Sequence, residues 1–130
     1  TNELLAGVYD SHSGSVLKAQ DVLFQQMDAL RKLPEGNTTI GCIVTNAKLD
    51  KAQCTKIAGI AHNGYARAIH PVHTMSDGDS IFVLSSGEVE VMADAVGMLA
   101  TEMMAKAIKR AVLHAESAYG LPAHSDVICK

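Results

Sequence analysis

The spacing of apolar positions switches along this chain between the two-residue repeat of a strand and the 3.6-residue repeat of a helix. Glu3 to Tyr9 and Ser15-Val16-Leu17 flank the polar turn Asp10-Ser11-His12-Ser13-Gly14, which reads as a hairpin. From Asp21 the period becomes helical: Val22, Leu23, Met27, Leu30 and Leu33 share a face, and Pro34-Glu35-Gly36 ends the segment. Thr38 to Thr45, with Ile40, Ile43 and Val44, reads as a buried strand. Asp50 with Gln53 three residues on is a capping pair, because each side chain can bond the other's backbone N–H, so a helix should start there. Ile57, Ile60, Ala61, Tyr65, Ala68 and Ile69 continue its apolar face until Pro71. Ser80 to Ser85, centred on Ile81-Phe82-Val83-Leu84, is a second buried strand. A last helix runs from about Asp94 to Tyr119, before Gly120 and Pro122. Its polar residues, Glu102, Lys106, Lys109 or Arg110, and Glu116, form one narrow stripe, which predicts burial over most of its circumference.

Hairpin, helix, strand, helix, strand and long helix make an α/β alternation, with two helices able to cover one sheet face. Three or four short strands cannot bury so apolar a final helix. The sheet is therefore expected to be completed by strands from an upstream segment or a second subunit.

Composition narrows the function classes. With 48% hydrophobic and 19% charged residues the chain is a packed, soluble type. A net charge of -3 with 11 Lys and Arg leaves no basic stripe for nucleic acid. The stretch Met92 to Met104, interrupted by Asp94 and Glu102, falls short of the roughly 20 apolar residues needed to span a bilayer. Three scattered cysteines, Cys42, Cys54 and Cys129, suggest a reducing compartment and no disulfide framework. The chain opens on Thr1 without a charged-then-apolar leader, so an upstream piece and a cytoplasmic location are expected.

Candidate chemistry concentrates at two places. Gly36-Asn37-Thr38-Thr39-Ile40-Gly41 enters a strand, and a Thr hydroxyl at such a junction can attack the preceding carbonyl. The acyl group shifts from nitrogen to oxygen, and hydrolysis of the ester cuts the chain. The freed Thr38 would carry an α-amine of ordinary pKa about 7.7 to 8.0, able to act as base toward its own hydroxyl near neutral pH. The plainer reading is a Gly-Asn turn with Thr38 opening a strand. Ser76-Asp77-Gly78-Asp79 places two carboxylates at the mouth of the next strand, where one could orient and tune that amine, or where both could be solvated turn residues. His62, His70 and His73 with Asp77 and Asp79 do not have metal-ligand spacing, and Met98, Met103 and Met104 read as core filling. No GxGxxG or GxxxxGK[ST] motif supports nucleotide binding.

The run Gly36 to Ala47, then Lys51-Ala52-Gln53, then Pro71-Val72-His73-Thr74 and Asp77-Gly78-Asp79-Ser80-Ile81-Phe82, resembles the L-aminopeptidase/D-esterase family. That family includes β-peptidyl aminopeptidases and nylon-oligomer hydrolases. The likeness reaches back through Gly7-Val8-Tyr9-Asp10 and Gly14 and forward to the long helix. It implies an αββα sandwich, cleavage between Asn37 and Thr38, Thr38 as nucleophile, and Asp77 and Asp79 as the acidic site residues. Residues 1–37 would then close the fragment before the cut and 38–130 would form the nucleophile-bearing fragment, together one incomplete domain. It further implies a small peptide or oligoamide substrate, a homo-oligomer, and no cofactor or metal. Members of the family are more than twice as long, and their oxyanion-stabilising Asn and a further polar or cationic residue lie upstream. Removing an oxyanion donor costs on the order of 10² to 10³ in rate, so this chain alone should be feeble. The competing expectation is a non-catalytic structural or binding fragment of the same fold, and a metal-dependent hydrolase stands third.

Overall fold

A computed structural model describes residues 3–26 and 38–128, which divide between two compact units, residues 3–26 with 108–128 and residues 38–107. In the second unit, β3 (Ile40–Ala47) and β4 (Ser80–Val89) pair in parallel, Ile40 opposite Ser80 through Thr45 opposite Ser85. Parallel neighbours need a crossover, and α2 (Lys51–Ala68) supplies it. The capping box expected at Asp50 is present: its carboxylate accepts from Gln53 N at 2.7 Å, and Gln53 Oε1 accepts from Asp50 N at 2.9 Å. The helix ends where Ile69 N–H bonds the Tyr65 carbonyl at 2.8 Å, two residues before the cis peptide bond between His70 and Pro71.

The strands alternate. Gly41, Ile43, Thr45 and Ala47 on β3, and Ile81, Val83 and Ser85 on β4, turn toward the helices. Ala47 joins Ile57 and Ala61 of α2 and Val96 and Ala100 of α3 (Ala93–His114) in one apolar cluster, flanked by Ile43, Leu49, Ile81, Val83 and Ala93. Thr101 Oγ1 ties the two helices by donating to the Ile60 carbonyl at 3.0 Å. Close approach there depends on Gly64, whose place a Cβ would take only at 2.6 Å from Met104 Cβ and 2.7 Å from the Thr101 carbonyl.

Three expectations need correcting. The strands expected to be buried are so on one face only: Ile40, Val44, Phe82 and Leu84 stand 59% to 77% exposed on the other. Both strands also run longer at their far ends, because three residues of β4, Ser86 to Glu88, bulge against Asn46 and carry pairing past Gly87 to Ala47 opposite Val89. The long helix buries Val96, Gly97, Ala100, Thr101 and Met104, whereas Met98 and Leu99 are 68% and 59% exposed. It packs on one flank rather than around its circumference, and it ends at His114, short of Glu116 and Tyr119.

In the first unit β1 (Val8–Asp10) and β2 (Ser15–Leu17) form the expected antiparallel hairpin, shorter at its start than the sequence suggested. Asp10 builds the turn, accepting from His12 N at 3.0 Å and Ser13 Oγ at 2.6 Å, while Gly14 takes φ 66°. The Ser13 hydroxyl first, and the His12 amide next, hold the Asp10 carboxyl below its ordinary pKa. Helix α1 spans Ala19–Gln25; the expected continuation through Met27, Leu30 and Leu33 lies outside the described residues. After an Ala118 to Leu121 bridge a short helix, α4 (His124–Ile128), follows, which the Gly120 and Pro122 stop signals had hidden. His124 Nδ1 donates to the Leu5 carbonyl at 2.7 Å.

The described residues are thus a mixed α and β chain with two small sheets. No described helix is long and apolar enough to cross a membrane.

Candidate active site

Parallel pairing puts the starts of β3 and β4 side by side, so the residues entering each strand meet at one end of the sheet. Thr38 and Thr39 lead into β3, and the Asp-Gly-Asp turn leads into β4. Ser80 N donates to the Thr39 carbonyl at 3.0 Å, and Thr39 N donates to Asp79 Oδ1 at 2.9 Å. Asp79 therefore grips the peptide unit that follows Thr38 directly. Its side chain is 7% exposed, and its other oxygen, Oδ2, receives no hydrogen bond among the described residues. Facing it is the His73 ring, whose Nδ1 stands 3.5 Å from Oδ2, within ion-pair distance for a protonated ring and outside a hydrogen bond.

Asp77 is turned elsewhere. Its Oδ2 accepts from Thr74 N at 2.7 Å, and its own N–H donates to the Thr74 carbonyl at 3.1 Å, closing the loop before β4. The two acids that the sequence puts forward together thus occupy different places: Asp79 beside the Thr38 to Thr39 peptide, Asp77 bracing the loop. Thr38 is exposed, and Asn37 lies outside the described residues.

Beneath the strand starts lies Tyr65, wholly buried on α2. Its hydroxyl is 3.4 Å from the Thr39 carbonyl and 3.5 Å from the Ser80 carbonyl, so one proton is shared between the two strands. Gly41 leaves room for it, since a Cβ there would stand 2.6 Å from that hydroxyl. Burial first, and the Asp79 charge second, push the Tyr65 phenol above its ordinary value, so it stays a neutral donor. Sequence reading had placed Tyr65 only on an apolar face; the signal that could have found it is a buried phenol, which seeks a polar partner.

The three histidines considered as metal ligands separate. His62 and His73 join Tyr65 in an aromatic cluster, with His62 edge-on to Tyr65 at 5.4 Å and to His73 at 5.2 Å between ring centres, while His70 is exposed beside the cis bond. Among the described residues no group of three or more His, Cys, Asp or Glu is arranged to hold a metal ion.

This geometry coincides with a family relationship. The model of peptidase family S58 matches residues 6–125. A Mycobacterium leprae protein named as an uncharacterized aminopeptidase is 41% identical over 68% of this chain and 28% of its own length. A Mycobacterium tuberculosis protein of like name is 39% identical over 70% of this chain and 31% of its own. The 6-aminohexanoate-oligomer endohydrolase of a Kocuria species is 30% identical over 83% of this chain and 35% of its own. The chain spans about a third of the length of these curated relatives. On the extent of the family match, the chain belongs to peptidase family S58, and the relatives similar to it carry the names of uncharacterized aminopeptidases and of 6-aminohexanoate-oligomer endohydrolases.

Proposed function

We propose that this chain is the nucleophile-bearing part of a self-processing hydrolase of small amides, with Thr38 as nucleophile and Asn37 to Thr38 as the bond it cuts in itself. The observation that carries the reading is the Asp79 carboxylate, bound through one oxygen to the amide of the peptide unit that follows Thr38, while its second, enclosed oxygen receives no hydrogen bond among the described residues. A free α-amine on Thr38 is a group such an oxygen could accept from.

In processing, Thr38 Oγ attacks the Asn37 carbonyl carbon, the C–N bond breaks, and an ester and an amine result. Water then hydrolyses the ester, leaving an Asn37 carboxylate and restoring the Thr38 hydroxyl. In turnover the amine takes the hydroxyl proton as Oγ attacks a substrate carbonyl and gives it to the departing amine; water releases the acyl group by the reverse transfers. Asp79 orients the amine, and Asp77 fixes the loop that carries Asp79. The substrate is a short peptide or an oligoamide, as the relatives' names suggest.

The chain's length relative to those proteins supports a further part of the reading. Oxyanion donors and pocket walls come from an upstream portion, which completes an αββα sandwich with the exposed face of β3 and β4; residues 1–37 end one fragment and 38–130 form the other. The assembled protein is a cytoplasmic homo-oligomer that needs no cofactor. The test is Thr38→Ala in the longest natural polypeptide carrying this chain. Intact mass should show one uncut chain, and hydrolysis of short peptide amides should vanish. Turnover by the variant at the wild-type rate would refute the assignment.

A further inference from the structure

Asp79 has an enclosed oxygen in need of a partner, and His73 is held in an unusual position beside it. An ionised carboxylate shut away from water needs donors or an opposing charge. Oδ1 has the Thr39 amide, but among the described residues Oδ2 has only the His73 ring at 3.5 Å. His73 reaches that place through a backbone φ of 58°, in the left-handed region that non-glycine residues seldom occupy. Its ring is kept there by the cluster on α2: it stacks on Tyr65 at 6.4 Å and stands edge-on to His62 at 5.2 Å between centres. On its far side Nε2 lies 3.4 Å from the His62 carbonyl. A carbonyl oxygen and an ionised carboxylate can only accept hydrogen bonds. Both ring nitrogens of His73 therefore face acceptors, an arrangement that the doubly protonated, cationic ring satisfies and either neutral tautomer does not.

The geometry points to His73 as a positioning residue of the proposed hydrolysis, a cation that holds Asp79 in place and offsets part of its charge before Asp79 meets the Thr38 amine. This rests on the Thr38 reading above. An unopposed carboxylate would stabilise the ammonium form of Thr38, which cannot act as a base. With His73 opposite, Asp79 can orient the amine and still leave it deprotonated at lower pH. Among the described residues the other titratable groups packed against the pair are His62 and Tyr65 from α2, while Asp77, in the loop before β4, has its carboxylate engaged by the Thr74 amide.

Two variants in the longest natural polypeptide separate this role from a merely structural one. His73→Gly accepts the backbone angle and removes the ring. His73→Asn also tolerates that angle and sets a neutral N–H roughly where Nδ1 stands. The glycine variant should fold and lower kcat by about tenfold at neutral pH with little change in KM. The rising limb of its kcat/KM profile should move to higher pH. The asparagine variant should recover part of kcat but keep the displaced limb, because it restores a donor and not a charge. Wild-type kcat and limb position in the glycine variant would overturn the inference, as would equal losses in both variants with an unmoved limb. If the glycine variant does not fold, the asparagine variant decides alone, and a wild-type limb in it rejects the role. A wild-type protein that neither cuts itself nor turns over substrate overturns the Thr38 reading, and this inference with it.

Discussion

A carboxylate acts at a site through what its two oxygens touch, and by that measure the two acids of Asp77-Gly78-Asp79 are unequal. Asp79 touches the Thr39 amide and is nearly enclosed; Asp77 is spent on the amide of Thr74. Asp79→Asn keeps an acceptor for Thr39 N–H but loses the charge, so turnover should fall on the order of 10²-fold. Removing an anion beside an amine lowers the amine's pKa, so the rising limb of the residual activity should move to lower pH, opposite in sign to the His73→Gly shift. Asp77→Asn keeps an acceptor for Thr74 and should cost less than about tenfold. Rate and pH profiles of the two variants check both statements, and equal losses would show that burial misjudges the acids. The pair was legible in sequence because Asp-Gly-Asp at a strand mouth is a local pattern. Their inequality was not, since it depends on a parallel pairing that brings residues forty positions apart into contact.

Among the elements, those written locally were read well and those decided by packing were not. Asp50 and Gln53 meet within one turn, so the start of α2 could be read off their spacing. The extent of β4 could not, because Ser85-Ser86-Gly87 looks like a stop and only the bulge opposite Asn46 carries pairing onward. For α3 the apolar composition overstated burial, since a helix buries only the flank it presents to a neighbour. That flank is set by small residues, and here a stability difference follows. A Cβ at Gly64 meets Met104 Cβ and the Thr101 carbonyl, which cannot withdraw unless the two helices part. At Gly41 the obstacles are the Tyr65 hydroxyl and the Met104 methyl at 2.7 Å, and the methyl is the far end of a flexible chain. Gly64→Ala should therefore cost about 3 kcal/mol and Gly41→Ala about half of that. Urea unfolding with an unchanged m-value is the measurement, and a reversed order would mean that α2 and α3 are not in the close register described.

For the whole molecule the informative surface is the outer face of β3 and β4. Parallel strands ordinarily have both faces covered, yet here Ile40, Val44, Phe82 and Leu84 are open to solvent in the chain as described. The alternation that fills the inner face necessarily produces this outer one, because Gly41, Ile43 and Ala47 turn inward and their neighbours turn out. Relatives about three times as long have the additional chain to cover it. On the proposed sandwich, a charge set in the middle of this face should affect the chain and the longer protein in opposite ways. Val44→Lys leaves the inner core, the Thr39 to Asp79 contact and the Tyr65 anchor untouched. In this chain alone it breaks an exposed apolar patch and should reduce self-association, as seen in sedimentation. In the longest natural polypeptide it buries an unpaired ammonium between layers, and should destabilise the fold by several kcal/mol and abolish self-cleavage with it. A longer protein that carries Val44→Lys, melts like the wild type and still cuts itself would show that this face stays open in the complete molecule. The strand mouth would then have to be completed by something other than a second sheet.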